Sequence, residues 1–322
     1  MSLKKNNTVL ITGATGFLGP HIIKELQKYE INIICLVRSL DRFNKACDYY
    51  GVDSSNITTV VGDVIKHHFG LSDDDYIHLC KKTDAVFHVA ATVNHVGNVE
   101  NSYGINVEGT ERVIKFCKAS EAHLYHMSSF AVSGFNTNQV LTEDILDIGQ
   151  QITQNPYIQT KYQAEERILK ARSDGINSTI FRIGNLTKRA SDGVFQMNAE
   201  TSGLSAQVRA LNKLGSYPSS MSNMRYDDTS VDKAAKAIVT LAINDGTGYI
   251  WHILNPNIQR IDEIAKVTKT DDETFDELLN DNHLDTDVSI FSIYYRMTKD
   301  GLNLNFDTTK TVNELKKYDF TW

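Results

Sequence analysis

A strand that empties into a glycine-spaced turn constrains this chain more than any other feature. Thr8-Val9-Leu10-Ile11 is apolar and β-branched, and it runs directly into Thr12-Gly13-Ala14-Thr15-Gly16-Phe17-Leu18-Gly19. Glycines three residues apart answer three separate needs. Gly13 allows a tight strand-to-helix turn, Gly16 lets the backbone approach a pyrophosphate, and Gly19 lets the first helix pack closely on the sheet. The N–H groups at that helix N-terminus are then free to hold a diphosphate. Glycine triplets also occur in turns for structural reasons alone, so the residues that follow decide between the two accounts.

Residues 20 to 29 read as a helix with Pro20 in its first turn, where a missing N–H costs little. Ile31-Asn32-Ile33-Ile34-Cys35-Leu36-Val37 reads as a buried parallel strand that ends on Arg38. An acid at this position bonds the adenosine ribose of NAD, whereas an arginine suits the 2′-phosphate of NADP. Arg38, helped by Arg42, therefore points to NADPH, with a solvated surface charge as the plainer account. Cofactor contacts are expected from Thr12, Gly13, Thr15, Gly16, Phe17, Leu18 and Gly19, and from Asp63 and Val64 after the third strand. Ala90, Ala91 and Thr92 after the fourth strand are small enough to lie under a ribose and nicotinamide. Asn106 fits either a water-ordering role at the site or a cap for the helix through Val113. Asp63 also fits a plain turn residue.

Strand-like runs at Ile57 to Val61, Ala85 to Val89, His123 to Met127 and Ser178 to Arg182 alternate with helix-length segments. This is the rhythm of a doubly wound α/β fold with a parallel sheet. It stops near Asn255, past which Ile261 to Thr268 and Glu273 to Leu279 read as short helices. Residues 1–254 are therefore expected to form a dinucleotide-binding Rossmann domain, and 255–322 a small, mainly helical lid. A net charge of −7 argues against general nucleic-acid affinity. Cys35, Cys47, Cys80 and Cys117 form no CxxC pair and fit reduced cytoplasmic thiols. No apolar stretch is long enough to span a membrane, and the glycine loop interrupts the one run that follows Lys4 and Lys5, which argues against a signal peptide. His88, His95 and His126 match no zinc spacing, so no metal is expected.

Tyr157 and Lys161 lie four apart at the start of a helix expected over Tyr157 to Arg172, so they share a face. A nearby ammonium stabilises phenolate, lowers a tyrosine pKa and makes the phenol a usable acid and base. Spacing alone selects nothing, because Tyr295 and Lys299 share it. Only the first pair follows Ser128-Ser129 at the end of a parallel strand, the edge where such sheets bind ligands. Tyr157, Lys161 and Ser129 are thus the candidate catalytic residues, with Ser129 also fitting a turn or N-cap hydroxyl. Arg167, Lys170, Arg172, Lys188 and Arg189 read as either a docking cluster for an acidic partner or a solvated face. Tyr217, Met221, Met224 and Tyr226 fit either a substrate channel or core.

Taken together, TGATGFLG at 12–19, CLVR at 35–38, GDV at 62–64, HVAATVNH at 88–95, NVEGT at 106–110, SSFAV at 128–132, Tyr157 with Lys161, RIGN at 182–185 and SVDKAAKAI at 230–238 carry a resemblance. The chain resembles an extended short-chain dehydrogenase/reductase of the thioester reductase group. That group includes terminal reductase domains of nonribosomal peptide synthetases and the reductase parts of carboxylic acid, aminoadipate and fatty acyl reductases. Ser129 stands where the group often has Thr, and Ser230 where Pro usually precedes Val-Asp. The resemblance implies an oxidoreductase in which NADPH reduces an acyl or peptidyl thioester carried on the phosphopantetheine arm of a carrier domain. Tyr157 would supply the proton, Ser129 would share the oxyanion, and Lys161 would bond the nicotinamide ribose. An aldehyde is the expected product, with onward reduction to an alcohol left open, and the short leader suits a domain that follows a carrier. A sugar-nucleotide epimerase or dehydratase holding NAD, and a non-catalytic dinucleotide sensor, are the alternatives.

Overall fold

Apolar, β-branched runs become the seven strands of one parallel sheet in the computed structural model. It describes residues 2–93, 99–134, 139–153, 155–199, 203–222, 225–244, 250–298 and 306–322. The strands are β1 (Thr8–Thr12), β2 (Asn32–Val37), β3 (Ile57–Val61), β4 (Ala85–His88), β5 (His123–Ser129), β6 (Ser178–Ile183) and β7 (Ile250–Ile253). Their spatial order is β7-β6-β5-β4-β1-β2-β3, and every neighbouring pair is parallel. The order reverses direction between β1 and β4. In such sheets the crevice beyond the strand ends at this switch point is where a ligand fits.

The helices are α1 (Leu18–Leu26), α2 (Leu40–Tyr50), α3 (Asp73–Lys82), α4 (Val99–Tyr103), α5 (Gly109–Ser120), α6 (Pro156–Ser173), α7 (Gly203–Leu214), α8 (Val231–Asn244), α9 (Ile261–Ala265), α10 (Asp272–Asp281), α11 (Thr286–Thr298) and α12 (Thr309–Lys316). A parallel sheet must be covered on both faces. Ile22 and Ile23 of α1, Phe43 of α2 and Ile238 of α8 bury one face against Val9, Ile11 and Cys35. Leu79 of α3, Val113 and Phe116 of α5 and Ile168 of α6 bury the other against Leu10, Val86 and Leu124.

A third apolar cluster is built from Leu211 of α7, Tyr217, Met221, Tyr226, Ile261 of α9, Phe275 of α10 and Phe291 and Tyr295 of α11. Tyr217, Met221 and Tyr226 are thereby core, while Met224 lies outside the described residues. Leu315 of α12 and Phe320 bury instead into the first cluster, beside β7 and α8. The helix expected over Ile261 to Thr268 ends at Ala265. Lys266 takes φ 56°, and Thr268–Thr270 pairs as a short parallel strand with Ser216–Pro218. Helices α11 and α12 have no counterpart in the expectations above. No described helix is long and apolar enough to cross a membrane.

Candidate active site

The glycine loop adopts the geometry its spacing implies. Gly13 sits at φ +75°, and a Cβ there would meet the Ala90 backbone N at 2.5 Å; a Cβ on Gly19 would meet the Gly13 carbonyl at 2.3 Å. Both positions therefore exclude any larger residue, and both lock β1, β4 and α1 together. A Cβ on Gly16 would meet only the Gly13 carbonyl, at 3.4 Å, so Gly16 is the glycine with open space beside it. Phe17 caps α1 without a side-chain hydrogen bond. The first-turn N–H groups are left for a ligand, and the helix dipole favours an anion there. Thr12 is spent internally: its Oγ1 bonds His88 Nδ1 at 2.8 Å and accepts from Ala90 N at 3.2 Å.

A cavity of about 650 Å³ opens over this loop and runs past the ends of β4, β5 and β6. Gly13, Thr15, Gly16, Phe17 and Leu18 line it at one side, Ala91 and Thr92 below, and Ser129, Tyr157 and Lys161 at the other end. Gly19, Arg38, Arg42, Asp63, Val64, Ala90 and Asn106 do not line it. Arg38 and Arg42 stand exposed where β2 ends, neither in an ion pair with a described residue. Asp63 Oδ1 accepts from Ile65 N at 3.2 Å, the geometry of a turn, and Val64 packs toward Gly109. Asn106 does not cap a helix. It sits in a π-turn, Gly104–Glu108, between α4 and α5. Its side chain bonds Thr92 N and O and the Thr160 hydroxyl at 2.9–3.0 Å, pinning the Ala90–Thr92 loop to α6.

The catalytic candidates converge through α6. Asn155 caps that helix, its Oδ1 accepting from Tyr157 N at 3.0 Å and Ile158 N at 3.2 Å, and so fixes where Tyr157 begins. Tyr157 and Ser129 share a hydrogen bond, while Ser129 Oγ also accepts from Ala131 N at 3.2 Å as a cap. The cap reading of Ser129 is thus observed, and the same hydroxyl also meets the Tyr157 phenol. Lys161 Nζ donates to the Met127 carbonyl at 2.5 Å. Burial lowers its pKa to about 8, with Glu165 opposing the shift. The expected lowering of the Tyr157 pKa by Lys161 is reversed. Burial raises the phenol, and its bond with Ser129 only partly offsets that. A raised pKa keeps the phenol protonated near neutrality, which is what a proton donor requires.

Beneath this pair lies a network whose distant partners no local sequence pattern connects. Arg182 on β6 and Glu165 on α6 are both fully buried and bond at 2.6 Å. Ser128 Oγ donates to the other Glu165 oxygen at 2.6 Å, and Arg182 also donates to the Thr142 and Ile145 carbonyls. Buried Asp227 accepts from Asn185 N and Nδ2 and from Thr229 Oγ1, and burial pushes its carboxyl up to about 6. A Cβ on Gly184 would collide with this carboxylate, so Gly184 and Asn185 face the cavity in one fixed arrangement. Tyr50 lines the cavity too and accepts from Met197 N through its hydroxyl at 3.0 Å.

The competing candidates resolve into structure. His88 is buried between Thr12 and Thr110, His126 is buried on β5, and His95 lies outside the described residues. No metal-competent cluster occurs among the described residues. Tyr295 is core. The basic cluster splits across the molecule: Arg167 pairs with Glu111 at 2.7 Å on the α5–α6 side, whereas buried Arg189 donates to the Tyr50 carbonyl on the α2 side.

A parallel sheet with a glycine loop at its switch point and a Ser-Tyr-Lys set in the same cleft defines a dinucleotide-binding α/β domain. Residues 11–238 match the model of the male sterility protein family of NAD-binding domains, and the chain belongs to that family. It is 29% identical over 271 residues to a linear gramicidin synthase of Brevibacillus parabrevis, covering 79% of this chain and 5% of that protein. It is 30% identical over 276 residues to glycine betaine reductase ATRR of Emericella nidulans, covering 80% of this chain and 21% of that protein. The chain thus spans a small fraction of the length of these relatives. Among solved structures it is similar to a thiolation-reductase di-domain from an archaeal nonribosomal peptide synthetase, with TM-score 0.85 and 26% identity over 100% of this chain and 72% of that one. It is equally similar to the terminal R domain of the myxalamid PKS-NRPS pathway, with TM-score 0.86 and 25% identity over 99% of this chain and 87% of that one.

Proposed function

We propose that the protein is an NADPH-dependent reductase that releases an acyl or peptidyl thioester from the phosphopantetheine arm of a carrier domain as an aldehyde. The observation that carries this reading is one cavity lined by Gly16, Ser129, Tyr157 and Lys161 together. The loop geometry fits the cofactor: Gly16 has open space, the α1 N-terminus has N–H groups to offer, and Arg38 and Arg42, exposed and without an ion pair among the described residues, suit a 2′-phosphate. A solved relative supports the thioester, since the matched di-domain joins a thiolation domain to its reductase.

Bound NADPH supplies the hydride. Tyr157 and Ser129 would hydrogen-bond the carbonyl oxygen of the thioester as negative charge develops on it. Tyr157 would pass its proton to that oxygen, giving a hemithioacetal. Breaking its C–S bond leaves an aldehyde and returns the thiol to the carrier. Lys161, released from the Met127 carbonyl or shared with it, would hold the ribose beside the phenol. Ala91 and Thr92, pinned by Asn106, form the floor of this part of the cleft.

The test is NADPH oxidation followed at 340 nm with an acyl-pantetheine thioester, beside NADH and a Tyr157→Phe control. Consumption with NADPH that falls by about 10²–10⁴-fold in the control is expected from the loss of a positioned acid. Accumulation of an alcohol rather than an aldehyde under excess NADPH would correct the product, and no consumption despite cofactor binding would overturn the activity.

A further inference from the structure

The far wall of the cleft is made by the part of the chain that the chemistry does not use. Leu204 and Gln207 of α7 and Ile290 of α11 line it. Outside the cleft the two helices are clamped: Arg209 bonds Asp287 at 2.8 and 3.0 Å, and Lys213 bonds Asp285 at 2.8 Å. The wall is therefore a held surface, apolar except for one amide.

That amide is unusual in its placement. Gln207 is 6% exposed, and its Oε1 accepts from the buried Tyr226 hydroxyl at 3.2 Å. The Tyr226 bond orients the group, so that the Nε2 donors are the free end; they bond no described residue. A buried amide with unused donors is costly unless a ligand or water takes them. Among the described residues lining the cleft, Lys161 alone carries a charge, and it stands beside Tyr157, so a charged acyl chain would find no opposite charge on the wall of Leu204, Gln207 and Ile290.

Taking the thioester reading above as given, we propose that Gln207 is a specificity-determining residue. Its amide N–H donates to a second carbonyl within the acyl chain, and the substrate class is an uncharged, amide-bearing (peptidyl) thioester rather than a plain alkyl or charged one. Tyr226 acts as a positioning residue that fixes which end of the amide faces the substrate.

The experiment compares kcat/KM for two pantetheine thioesters of equal chain length, butanoylglycyl and heptanoyl, in the wild type, Gln207→Leu and Gln207→Glu. Gln207→Glu keeps an acceptor for Tyr226 but removes the donors, and so guards against a misfolded Gln207→Leu protein; NADPH affinity reports on the fold of both. The wild type is expected to favour the butanoylglycyl ester by about tenfold, the scale of one buried hydrogen bond. That ratio should fall toward one in both variants. A wild-type ratio near one, or a ratio unchanged in the variants, overturns the assignment while leaving the reductase intact. Failure to reduce either ester would instead remove the thioester reading and this assignment with it.

Discussion

Lys161 and Arg38 carry the sharpest consequences at the level of single residues. Burial brings the Lys161 ammonium to about 8, while the Tyr157 phenol is moved the other way. The pair therefore separates on the pH axis: below about 8 the lysine is charged and the tyrosine protonated, the state that the proposed reduction would use. As pH rises through 8 the ammonium is lost before the phenol ionises. The expected kcat/KM profile for thioester reduction falls on the alkaline side with an apparent pKa near 8, since this parameter reports the free enzyme. A flat profile from pH 7 to 10 would deny Lys161 that part. Arg38 is a separate matter of affinity. Exposed and without an ion pair among the described residues, it can be removed at little structural cost. Arg38→Ala should raise the Kd for NADPH by about tenfold or more and leave NADH nearly unmoved, the loss of one charge-assisted phosphate contact. Equal effects on both cofactors, read by fluorescence titration, would remove the 2′-phosphate assignment.

Between β6 and α6 the Arg182–Glu165 pair shows what a buried charge demands of its elements. Removing one partner leaves the other uncompensated in a dry site, at a cost of about 3–5 kcal/mol, whereas replacing both by apolar residues avoids the desolvation altogether. Glu165→Leu is thus expected to lower Tm steeply. Adding Arg182→Met should recover part of that loss despite being a second mutation, and additive losses in a thermal melt would refute the pairing. Ser128 and the carbonyls of Thr142 and Ile145 also hang on this pair, so the single variant should loosen the loop beneath Ser129 as well. None of this was legible in the chain. Six strands of the sheet were, because all-apolar runs are local signals, and so was the glycine loop, whose turn depends on neighbours in sequence; the short seventh strand, Ile250–Ile253, was not. Tyr157 was legible only through its place after Ser129. Glu165 with Arg182, Asp227 with Asn185 and Tyr50 with Met197 are polar contacts made across the fold, and no local pattern marks which distant residue will answer a buried charge. Asn106 illustrates the same limit from the other side: a helix cap was a fair local reading, but a π-turn redirects the side chain to Thr92 and Thr160.

The molecule as a whole holds two kinds of core, and the cleft draws residues from both. Phe275, fully buried, belongs to the cluster that backs α7 and α11, and those helices carry Gln207 and Ile290. Leu315, equally buried, belongs to the cluster under the sheet, where Glu143 accepts hydrogen bonds from Lys310 N, Thr311 N and His252 N and so ties the start of α12 to β7. Truncating either side chain should cost about 2–5 kcal/mol through lost burial and the cavity left behind, yet the two losses should land in different places. Phe275→Ala is expected to raise amide exchange across α7, α10 and α11 while β1, β4 and β5 stay protected, because local opening follows the contacts that close each unit. Such a protein should bind NADPH normally and show a raised KM for the acyl thioester, since the wall proposed to meet the acyl chain has loosened and the glycine loop has not. Leu315→Ala should instead lower protection in β7 and α8 and reduce global stability with little change in that KM. Uniform loss of protection in both variants would mean that the two clusters melt as one cooperative unit, and the helical wall could then not move independently of the sheet that holds Ser129, Tyr157 and Lys161.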